Sequence, residues 1–392
     1  MKKFLIVNNG SASKKYAVYA DGQQIYFAHL EIEEGNSIVT EYINGEALKS
    51  DITKEEFDAS LEFALKKMSE RGIAEKSEIS AVGVRVVAPG VYFWNNREIN
   101  EEYIQKMEEA KEKVPLHMTP ILLAVKNLVE SFKGVAPVYG ISDSAFHSTL
   151  PEVAKIYGLP TEMAKQHEIY RFGYHGISVQ SIVNKSAEFF GSVPSRMIVC
   201  HLGGGVSVTA VKDGQSIENS MGFTPLEGML MATRVGDIDP GAVLYLLEMT
   251  GQTPAEMRKY FNKECGLLGV SNGLSDDVRD LIKGDEVGNH EAKLALDLFA
   301  YRVKKTIGSY MAVLGGLDAL VFTGTIGERS FIMRRRICSE LQNLGLELDL
   351  VKNDATVYKD EIISTADSKI KIATLKTEEM NQIAREVGKL NN

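Results

Sequence analysis

Residues 197–241 read MIVCHLGGGVSVTAVKDGQSIENSMGFTPLEGMLMATRVGDIDPG, and this stretch decides the fold. An apolar run, Met197 to Cys200, leads to Gly203-Gly204-Gly205, and an alternating strand pattern follows from Val206 to Lys212. Asp213-Gly214 closes this strand with a typical hairpin turn. Three successive glycines let the backbone turn without side-chain obstruction and present N–H groups to an anion. The stretch therefore predicts a β-hairpin with a bare tip.

A second copy of this unit lies at the N-terminus. Phe4 to Val7 leads to Asn8-Asn9-Gly10-Ser11-Ala12-Ser13, and a strand pattern from Lys15 to Tyr19 ends at Asp21-Gly22. Gly10 precedes its aspartate by eleven residues, Gly203 precedes its own by ten, and the copies are about 190 positions apart. This spacing predicts a duplicated domain, the alternative being two unrelated hairpins.

The two tips differ in the groups that they offer to a ligand. The N-terminal tip carries the Ser11 and Ser13 hydroxyls, the Asn8 amide and the Lys15 ammonium, whereas the second carries glycine N–H groups. Facing each other, such tips would make a cleft that suits a polyphosphate. The six-residue spacing of a Walker loop is absent, so the glycine triplet alone could equally be a structural turn.

Length and composition bound the class of protein. A chain of 392 residues is too long for one comfortable core and predicts two domains, and 44% hydrophobic with 25% charged residues is typical of soluble globular proteins. The net charge of -9 argues against nucleic acid and anionic membranes as partners. We therefore expect small-molecule partners held by a local basic site.

The cysteines and the N-terminal pattern bear on the compartment. Cys200, Cys265 and Cys338 lie in apolar surroundings without metal-like spacing, so we expect buried thiols, no disulfide and no structural zinc. The sequence starts on a strand pattern rather than a signal peptide, and no apolar run approaches the roughly 20 residues that span a bilayer. These features predict a cytoplasmic location.

Helix and strand patterns alternate along the chain, which predicts an α/β fold. Helical periodicity covers Lys54 to Glu70, Pro120 to Phe132 and Glu291 to Leu314, and strand patterns cover Ala81 to Val87, Val135 to Ile141 and Leu317 to Thr323. Asp239-Pro240 and Thr253-Pro254-Ala255-Glu256 are typical helix starts, which a long helix should follow. Gly324-Thr325-Ile326-Gly327 follows the last strand and opens a helix, a third candidate contact for phosphate or nucleotide.

Further motifs run through the chain in a fixed order. They are NNGSASKKY at 8–16, GVRVV at 83–87, PLH at 115–117, SDSAFHSTLP at 142–151, YRFGYHGIS at 170–178, CHLGGG at 200–205, SMGFTPLEGMLMATRVGDIDP at 220–240, LGGLDALVFTGTIGE at 314–328 and KTEE at 376–379. In this order, and over nearly the whole length, they resemble the motifs of the acetate kinase family.

The resemblance implies an α/β, two-lobed actin-like ATPase fold built from duplicated ribonuclease-H-like domains. We place an N-terminal lobe at residues 1–148, with the C-terminal helix at about 381–392 packing back on it. The C-terminal lobe, residues 149–380, would hold the nucleotide site and the interface of a homodimer. The implied activity is reversible phosphoryl transfer between ATP and acetate, with ATP or ADP as co-substrate and Mg2+ as cofactor.

Acyl-phosphate chemistry explains the charged residues of these motifs. A carboxylate must approach the terminal phosphoryl group of ATP, so negative charge on both reactants has to be neutralised. Arg85 and Arg234 match the two family arginines at the reacting centre, where guanidinium groups hold oxygens bidentately. Arg85 also interrupts an apolar strand, where a cation without a ligand would be costly. His175 matches the histidine that stabilises the transferring group.

The resemblance assigns the other site residues one by one. His117 and His201 match histidines near the active site and beside the phosphate turn. Asp143 and Glu379 match carboxylates near Mg2+, with Asn8 beside the metal, although Glu379 alone would indicate a helix-dipole contact. The implied acyl pocket is lined by Val87, Leu116, Tyr174 and Pro225. The implied nucleotide contacts are Ser11, Ser13, Lys15, His201, Gly203, Gly204, Gly205, Asp277, Arg279, Gly324, Thr325, Ile326 and Gly327.

Some positions depart from the family pattern. Tyr174 replaces a phenylalanine and favours acetate over butyrate only weakly, and Gly204 replaces the asparagine of the phosphate loop. Thr325 and Arg329 replace a glycine and an asparagine in the loop expected to meet adenosine, where an arginine could stack on a base, grip phosphate or obstruct the pocket.

Three functions therefore stay open. The first is an acetate kinase. The second keeps this chemistry with propionate or another short-chain acid, or with a donor such as pyrophosphate. The third is a nucleotide-binding homologue without turnover, against which the retention of Arg85, Asp143, His175, Arg234 and Glu379 weighs.

Overall fold

The computed structural model describes residues 2–10, 13–33, 35–43 and 45–391, without the side chain of His117. The chain divides into two compact units, Met1–Ala145 with Glu378–Asn392, and Phe146–Thr377. Within the described ranges, no helix combines the length and the apolar character that crossing a membrane requires.

The first unit is built on a mixed sheet. Its elements are β1 (Lys3–Asn9), β2 (Ser13–Ala20), β3 (Gln23–Glu33), β4 (Asn36–Ile43), β5 (Glu46–Asp51), α1 (Lys54–Asp58), α2 (Ser60–Glu70), β6 (Ile79–Val86), β7 (Arg97–Glu98), α3 (Glu101–Lys113), α4 (Pro115–Phe132) and β8 (Val138–Ser142). The strand order is β5-β4-β3-β2-β1-β6-β8-β7. The β1–β6 and β6–β8 pairs are parallel.

The second unit repeats this plan in a smaller sheet. Its elements are α5 (Glu152–Lys155), α6 (Thr161–Gln166), α7 (Gly176–Phe190), β9 (Arg196–Leu202), β10 (Val206–Lys212), β11 (Gln215–Asn219), α8 (Pro240–Thr250), α9 (Pro254–Lys263), α10 (Gly266–Val270), α11 (Val278–Glu286), α12 (His290–Leu314), β12 (Ala319–Thr323), α13 (Gly324–Arg329), α14 (Phe331–Cys338), α15 (Leu350–Ala355), β13 (Glu361–Ile362) and β14 (Lys371–Thr374). The strand order is β11-β10-β9-β12-β14-β13.

Both sheets share one topology. An antiparallel meander of three strands, β1 to β3 or β9 to β11, is extended by two strands parallel to its first strand. The parallel strands are β6 and β8 in the first unit and β12 and β14 in the second. This is the arrangement of a ribonuclease-H-like domain present twice, so the predicted α/β class and duplication are confirmed.

The two predicted hairpins form as expected. Leu202 pairs with Val206 across the three glycines, and Asn9 pairs with Lys14 at the other tip. Asp21 and Asp213 have φ angles of 46° and 49°, and each precedes a glycine of positive φ. Left-handed conformations at both central residues are what a two-residue hairpin turn requires.

Three helix predictions need correction. The pattern from Lys54 to Glu70 is interrupted at Ala59, which separates α1 from α2. Helix α4 begins at Pro115 rather than Pro120, because a proline in the first turn needs no N–H donor. The starts at Asp239 and Thr253 are correct, but α8 has 11 residues and α9 has 10 instead of forming a long helix, since Gly251 ends the first in a left-handed conformation.

The C-terminal helix α16 (Glu379–Leu390) packs on the first sheet through β1 and β6. A Cβ atom built at Gly83 in β6 would lie 2.4 Å from Val387 Cγ2 and 3.1 Å from Ile383 Cγ2. The missing side chain at Gly83 therefore lets α16 approach the sheet closely.

We predict that Gly83→Ala destabilises the protein by about 1–3 kcal/mol, because stiff β-branched side chains of α16 must move. Urea denaturation followed by circular dichroism measures this change. Gly158→Ala is the matched control, since a Cβ there meets nothing within 4 Å. Equal losses in both variants would contradict the close packing of α16 on β6.

Candidate functional site

Polar residues collect at one edge of the first sheet. Because β1, β6 and β8 run parallel, their carboxyl ends meet at the same edge. Asn8 lies near the end of β1, Arg85 near the end of β6, and Asp143 directly after β8. The sequence-predicted residues of this unit are thereby brought together from positions far apart in the chain.

Arg85 and Asp143 form a bidentate ion pair. Arg85 Nε donates to Asp143 Oδ1 at 3.1 Å and Nη2 donates to Oδ2 at 3.0 Å, with the aspartate only 1% exposed. Burial disfavours the charged guanidinium, but the Asp143 and Glu379 carboxylates outweigh this effect and hold the pKa of Arg85 above its usual range. Arg85 is therefore a permanent, oriented cation.

Asn8 connects this ion pair to the C-terminal helix. Its Oδ1 accepts from Arg85 Nη1 at 3.4 Å, and its Nδ2 donates to Glu379 Oε2 at 2.9 Å. Glu379 is the first residue of α16, so the last helix of the chain contributes to the edge formed by the first strand.

The oxygen donors of this network suit a hard cation. Carboxylate and amide oxygens of Asp143, Glu379 and Asn8 are ligands that Mg2+ accepts, usually together with water and phosphate oxygens. Among the described residues, no group of three or more His, Cys, Asp or Glu could hold a metal by itself. A metal here would therefore depend on oxygens from a ligand as well as from the protein.

The rest of the N-terminal tip is only partly described. Lys15 lies in β2 opposite Asn8. Ser13 Oγ lies 2.7 Å from His29 Nε2, a contact that the sequence did not predict. Burial is the main cause that lowers the pKa of His29, and Lys15 adds to it. Ser11 and the side chain of His117 lie outside the described part of the chain.

His175 lies against the glycine turn in the second unit. It precedes α7 with a left-handed φ of 61° and is only 9% exposed. Its Nδ1 lies 3.0 Å from Ser207 Oγ on β10. A Cβ built at Gly205 would lie 3.1 Å from His175 Nε2 and 3.6 Å from Arg234 Nη1. Glycine at this position therefore lets the imidazole and the guanidinium approach the backbone of the turn.

His201 extends this group at the end of β9. Its ring lies 4.2 Å from that of His175, measured between centroids. Ser178 Oγ lies 2.8 Å from His201 Nδ1 and also 2.8 Å from Thr377 Oγ1. Ser178 of α7 thus orients the His201 imidazole, whereas Ser207 of β10 contacts the imidazole of His175.

Arg234 reaches the glycine turn from an irregular segment. Its Nη1 donates to Pro225 O at 2.9 Å. A Cβ at Gly266, whose φ is +67°, would lie 2.8 Å from the Arg234 backbone nitrogen, so this glycine permits the approach of α10. The fully buried Tyr174 donates its hydroxyl to Phe223 O at 2.9 Å and fixes the chain close to Pro225.

The turn after β12 adjoins the glycine turn. A Cβ at Gly203 would lie 3.9 Å from the Thr325 backbone nitrogen, and one at Gly324 would lie 2.7 Å from Leu202 O. The buried Glu328 accepts hydrogen bonds at Oε1 from Gly324 N at 2.9 Å and Thr377 N at 3.0 Å. A carboxylate of the protein therefore already binds the first N–H of α13.

The remaining predicted residues have other surroundings. Asp277 caps α11 and forms an ion pair of 2.6 Å with Arg279, which lowers the pKa of Asp277. Val87 is half-buried and Leu116 exposed, both in the first unit, whereas Tyr174 and Pro225 belong to the second.

A cavity of about 330 Å³ in the second unit lies beside the backbone that carries Arg234, since Val235 and Gly266 belong to its lining. Its lining includes Tyr260, Cys265 and Arg302, and none of the residues predicted from the sequence.

The structure thus forms two polar groups, one in each unit. Sequence reasoning missed His29, Ser178, Ser207 and Glu328, which orient predicted residues through hydrogen bonds. Sequence proximity does not reveal these partners, since Ser178 contacts His201 rather than the nearby His175, and Ser207 contacts His175 rather than His201, its neighbour across the hairpin.

Comparison with known proteins gives consistent similarity over the whole chain. The model of the Acetokinase family matches residues 3–385. The chain is 40% identical to the acetate kinase of Clostridium botulinum (strain Hall) over 98% of both sequences. It is 37% identical to that of Thermotoga petrophila, over 98% of this chain and 97% of the relative.

Solved structures show the same similarity. The propionate kinase of Francisella tularensis has a TM-score of 0.90 and 33% identity over 100% of both chains. The acetate kinase of Porphyromonas gingivalis has a TM-score of 0.87 and 33% identity, also over 100% of both.

We predict that Gly205→Ala displaces the imidazole of His175, because the new methyl group would lie 3.1 Å from its Nε2. Spectra of protein with 13C-labelled histidine should show shifted ring resonances for His175 and for His201, which stacks on it. Gly204→Ala is the matched control, since a Cβ there meets nothing within 4 Å. Unchanged His175 resonances in Gly205→Ala would refute the close contact.

Proposed function

Since the chain belongs to the acetokinase family, whose members transfer a phosphoryl group to a carboxylate, we propose that it interconverts ATP plus acetate with ADP plus acetyl phosphate. The reaction is a direct in-line transfer, in which a carboxylate oxygen of acetate bonds to the γ-phosphorus as the bond to the ADP oxygen breaks. The observation that carries this proposal is the Asp143–Arg85–Asn8–Glu379 network, an oriented cation beside oxygen donors for a metal.

The charged residues have separate roles in this proposal. Arg85 and Arg234 orient the anionic reactants and neutralise charge on the transferring group. His175 stabilises that group in the transition state, with its ring oriented by Ser207. Gly203 to Gly205 support the donor phosphates through backbone N–H groups. Ser11, Ser13 and Lys15 assist phosphate binding at the other tip, and His117 and His201 assist as neighbouring histidines.

Mg2+ completes the proposed site. Asp143, Glu379 and Asn8 would hold it, directly or through water. When bound, it neutralises charge on the donor phosphates. The hydrogen bond that Asn8 donates to a carboxylate oxygen of Glu379 supports this role, because it orients the carboxylate.

Acid and donor each have a second candidate. Similarity to the Francisella propionate kinase makes propionate the alternative acid. A donor without adenosine, such as pyrophosphate, is the alternative suggested by Gly204, Thr325 and Arg329. We also propose a cytoplasmic enzyme, because Cys200, Cys265 and Cys338 are free thiols, as suits a reducing compartment.

We predict acyl-phosphate formation from acetate, ATP and Mg2+, detected as the hydroxamate. Arg85→Ala and Arg234→Ala should each lower kcat by at least about a hundredfold, because each removes positive charge from the transition state. Chelation of Mg2+ by EDTA should abolish turnover, and added Mg2+ should restore it. The matched control is Arg335→Ala, which removes an arginine paired with Asp354 on the surface.

A panel of acids and donors decides between the candidates. A higher kcat/KM for propionate than for acetate would make propionate the proposed acid. A higher kcat/KM for pyrophosphate than for ATP would make pyrophosphate the proposed donor. Nucleotide binding without turnover of any acid and donor would refute the kinase and favour a binding protein.

We further propose a homodimer formed through α8 of the second unit. None of the eleven residues of this helix is buried, although its sequence is PGAVLYLLEMT with one charged side chain. Leu244, Tyr245 and Met249 are 62%, 64% and 60% exposed. A helix this short is marginal in water and a contiguous apolar face favours a partner, for which a second copy of the chain is the proposed occupant.

We predict that Tyr245→Glu converts the dimer into monomers, because it places a charge in the apolar face of α8. Sedimentation velocity measures the change in mass. Val287→Glu is the control, since Val287 is an apolar residue outside α8 that is 84% exposed. A wild-type protein that sediments as a monomer would contradict the proposed interface.

A further inference from the structure

We propose that Arg329, supported by the ring of Tyr358, forms the platform on which the base of the nucleotide donor stacks. This inference rests on the proposed function. It identifies the base as the part of the donor that Arg329, a departure from the family pattern, contacts. Of the three roles that the sequence leaves open for Arg329, which are stacking on a base, gripping phosphate and obstructing the pocket, we therefore favour the first.

The Arg329 guanidinium lies over the face of the Tyr358 ring. The Arg329 Cζ atom lies 4.3 Å from the centroid of the Tyr358 ring. Both residues are exposed, Tyr358 by 52%. A planar guanidinium can lie on one aromatic face and present its other face to a second planar group. The Arg329–Tyr358 pair therefore offers solvent a flat cationic surface of the kind that nucleobases stack on.

The stack lies in line with the glycine turn. Thr325 and Arg329 are both exposed and four residues apart, so they share one face of α13. The backbone nitrogen of Thr325, in the first turn of α13, lies 3.9 Å from a Cβ atom built at Gly203. A donor with phosphates at the glycine turn would extend along this face, about one helical turn, or 5.4 Å, to reach Arg329.

The backbone below the platform is held in place. Tyr358 has a left-handed φ of 52°, which is unfavourable for a bulky residue, and its N–H donates to Glu328 O at 2.9 Å. The fully buried Arg334 donates to Gly327 O at 2.8 Å and Thr356 O at 2.6 Å. These bonds join α13 to the segment that carries Tyr358, so the two backbone segments that carry Arg329 and Tyr358 are held together.

A phosphate grip is the competing role. Lys376 Nζ also lies 5.2 Å from the Tyr358 ring centroid, so a second cation is close. The base is favoured because the guanidinium lies over an aromatic ring, and because Arg329 follows Thr325, the residue beside the glycine turn, by about one helical turn. The two roles differ in their response to a ligand without a base.

The test compares ADP with inorganic tripolyphosphate, both as magnesium complexes. Titration calorimetry measures their dissociation constants and does not require turnover, so this inference and the kinase proposal can fail separately. The variants are Arg329→Asn, Tyr358→Leu and Tyr358→Phe. Lys359→Asn is the matched charge control, since Lys359 is exposed and paired with Glu361.

Arg329→Asn should raise the Kd for ADP by about fivefold to tenfold, as loss of a cation–π stack predicts. Relative to Lys359→Asn, the Kd for tripolyphosphate should change by less than about twofold. Tyr358→Leu should weaken ADP binding in the same direction, and Tyr358→Phe should restore it by keeping the ring.

Three outcomes would overturn the platform. An unchanged Kd for ADP in Arg329→Asn would leave Arg329 without a role in donor binding. Equal weakening of ADP and tripolyphosphate would assign it to phosphate. Tighter ADP binding by Arg329→Asn would show that Arg329 obstructs the pocket.

Discussion

Parallel pairing of strands is the constraint on which both polar groups depend. The β1–β6–β8 set and the β9–β12–β14 set each direct their carboxyl ends to one sheet edge. Residues more than 50 positions apart, such as Arg85 and Asp143, therefore meet without any local sequence relation. Antiparallel β2 and β10 begin at the same edges and add Lys15 and Ser207. Without this pairing the charged residues would be separate surface groups.

Much of the fold could be predicted from the sequence because its signals are local. The glycine tips and the Asp-Gly turns limit backbone conformation directly, and strand periodicity between them fixes the hairpins. The duplication followed from spacing alone. Helix ends were less predictable, since Ala59 and Gly251 end helices through conformations that periodicity does not encode. Helix α4 contains two prolines, Pro115 and Pro120, and the helical pattern is compatible with a start at either. The helix begins at the earlier one, Pro115.

The candidate site was less predictable because its remaining contacts are tertiary. Ser13 pairs with Glu31 and contacts His29 diagonally across the β2–β3 pair, whose register shifts between Val18 and Tyr19, and no turn signal in the sequence specifies that shift. Glu328 follows the predicted nucleotide contacts Gly324 to Gly327, and its carboxylate binds backbone N–H groups from two segments. Burial of the carboxyl group raises the pKa of Glu328 despite these bonds. Such partnerships depend on packing that one sequence does not reveal.

The buried Arg334 has a consequence for how this part of the chain loses structure. Its guanidinium donates to carbonyl oxygens of Gly327, Asn353 and Thr356 rather than to a carboxylate, and burial lowers its pKa to about 10. Opening any one of these segments would strand a charged group away from water, so they should open as a single cooperative block. Amides throughout this block would then exchange with one common free energy of opening, and a chain break within it would be poorly tolerated.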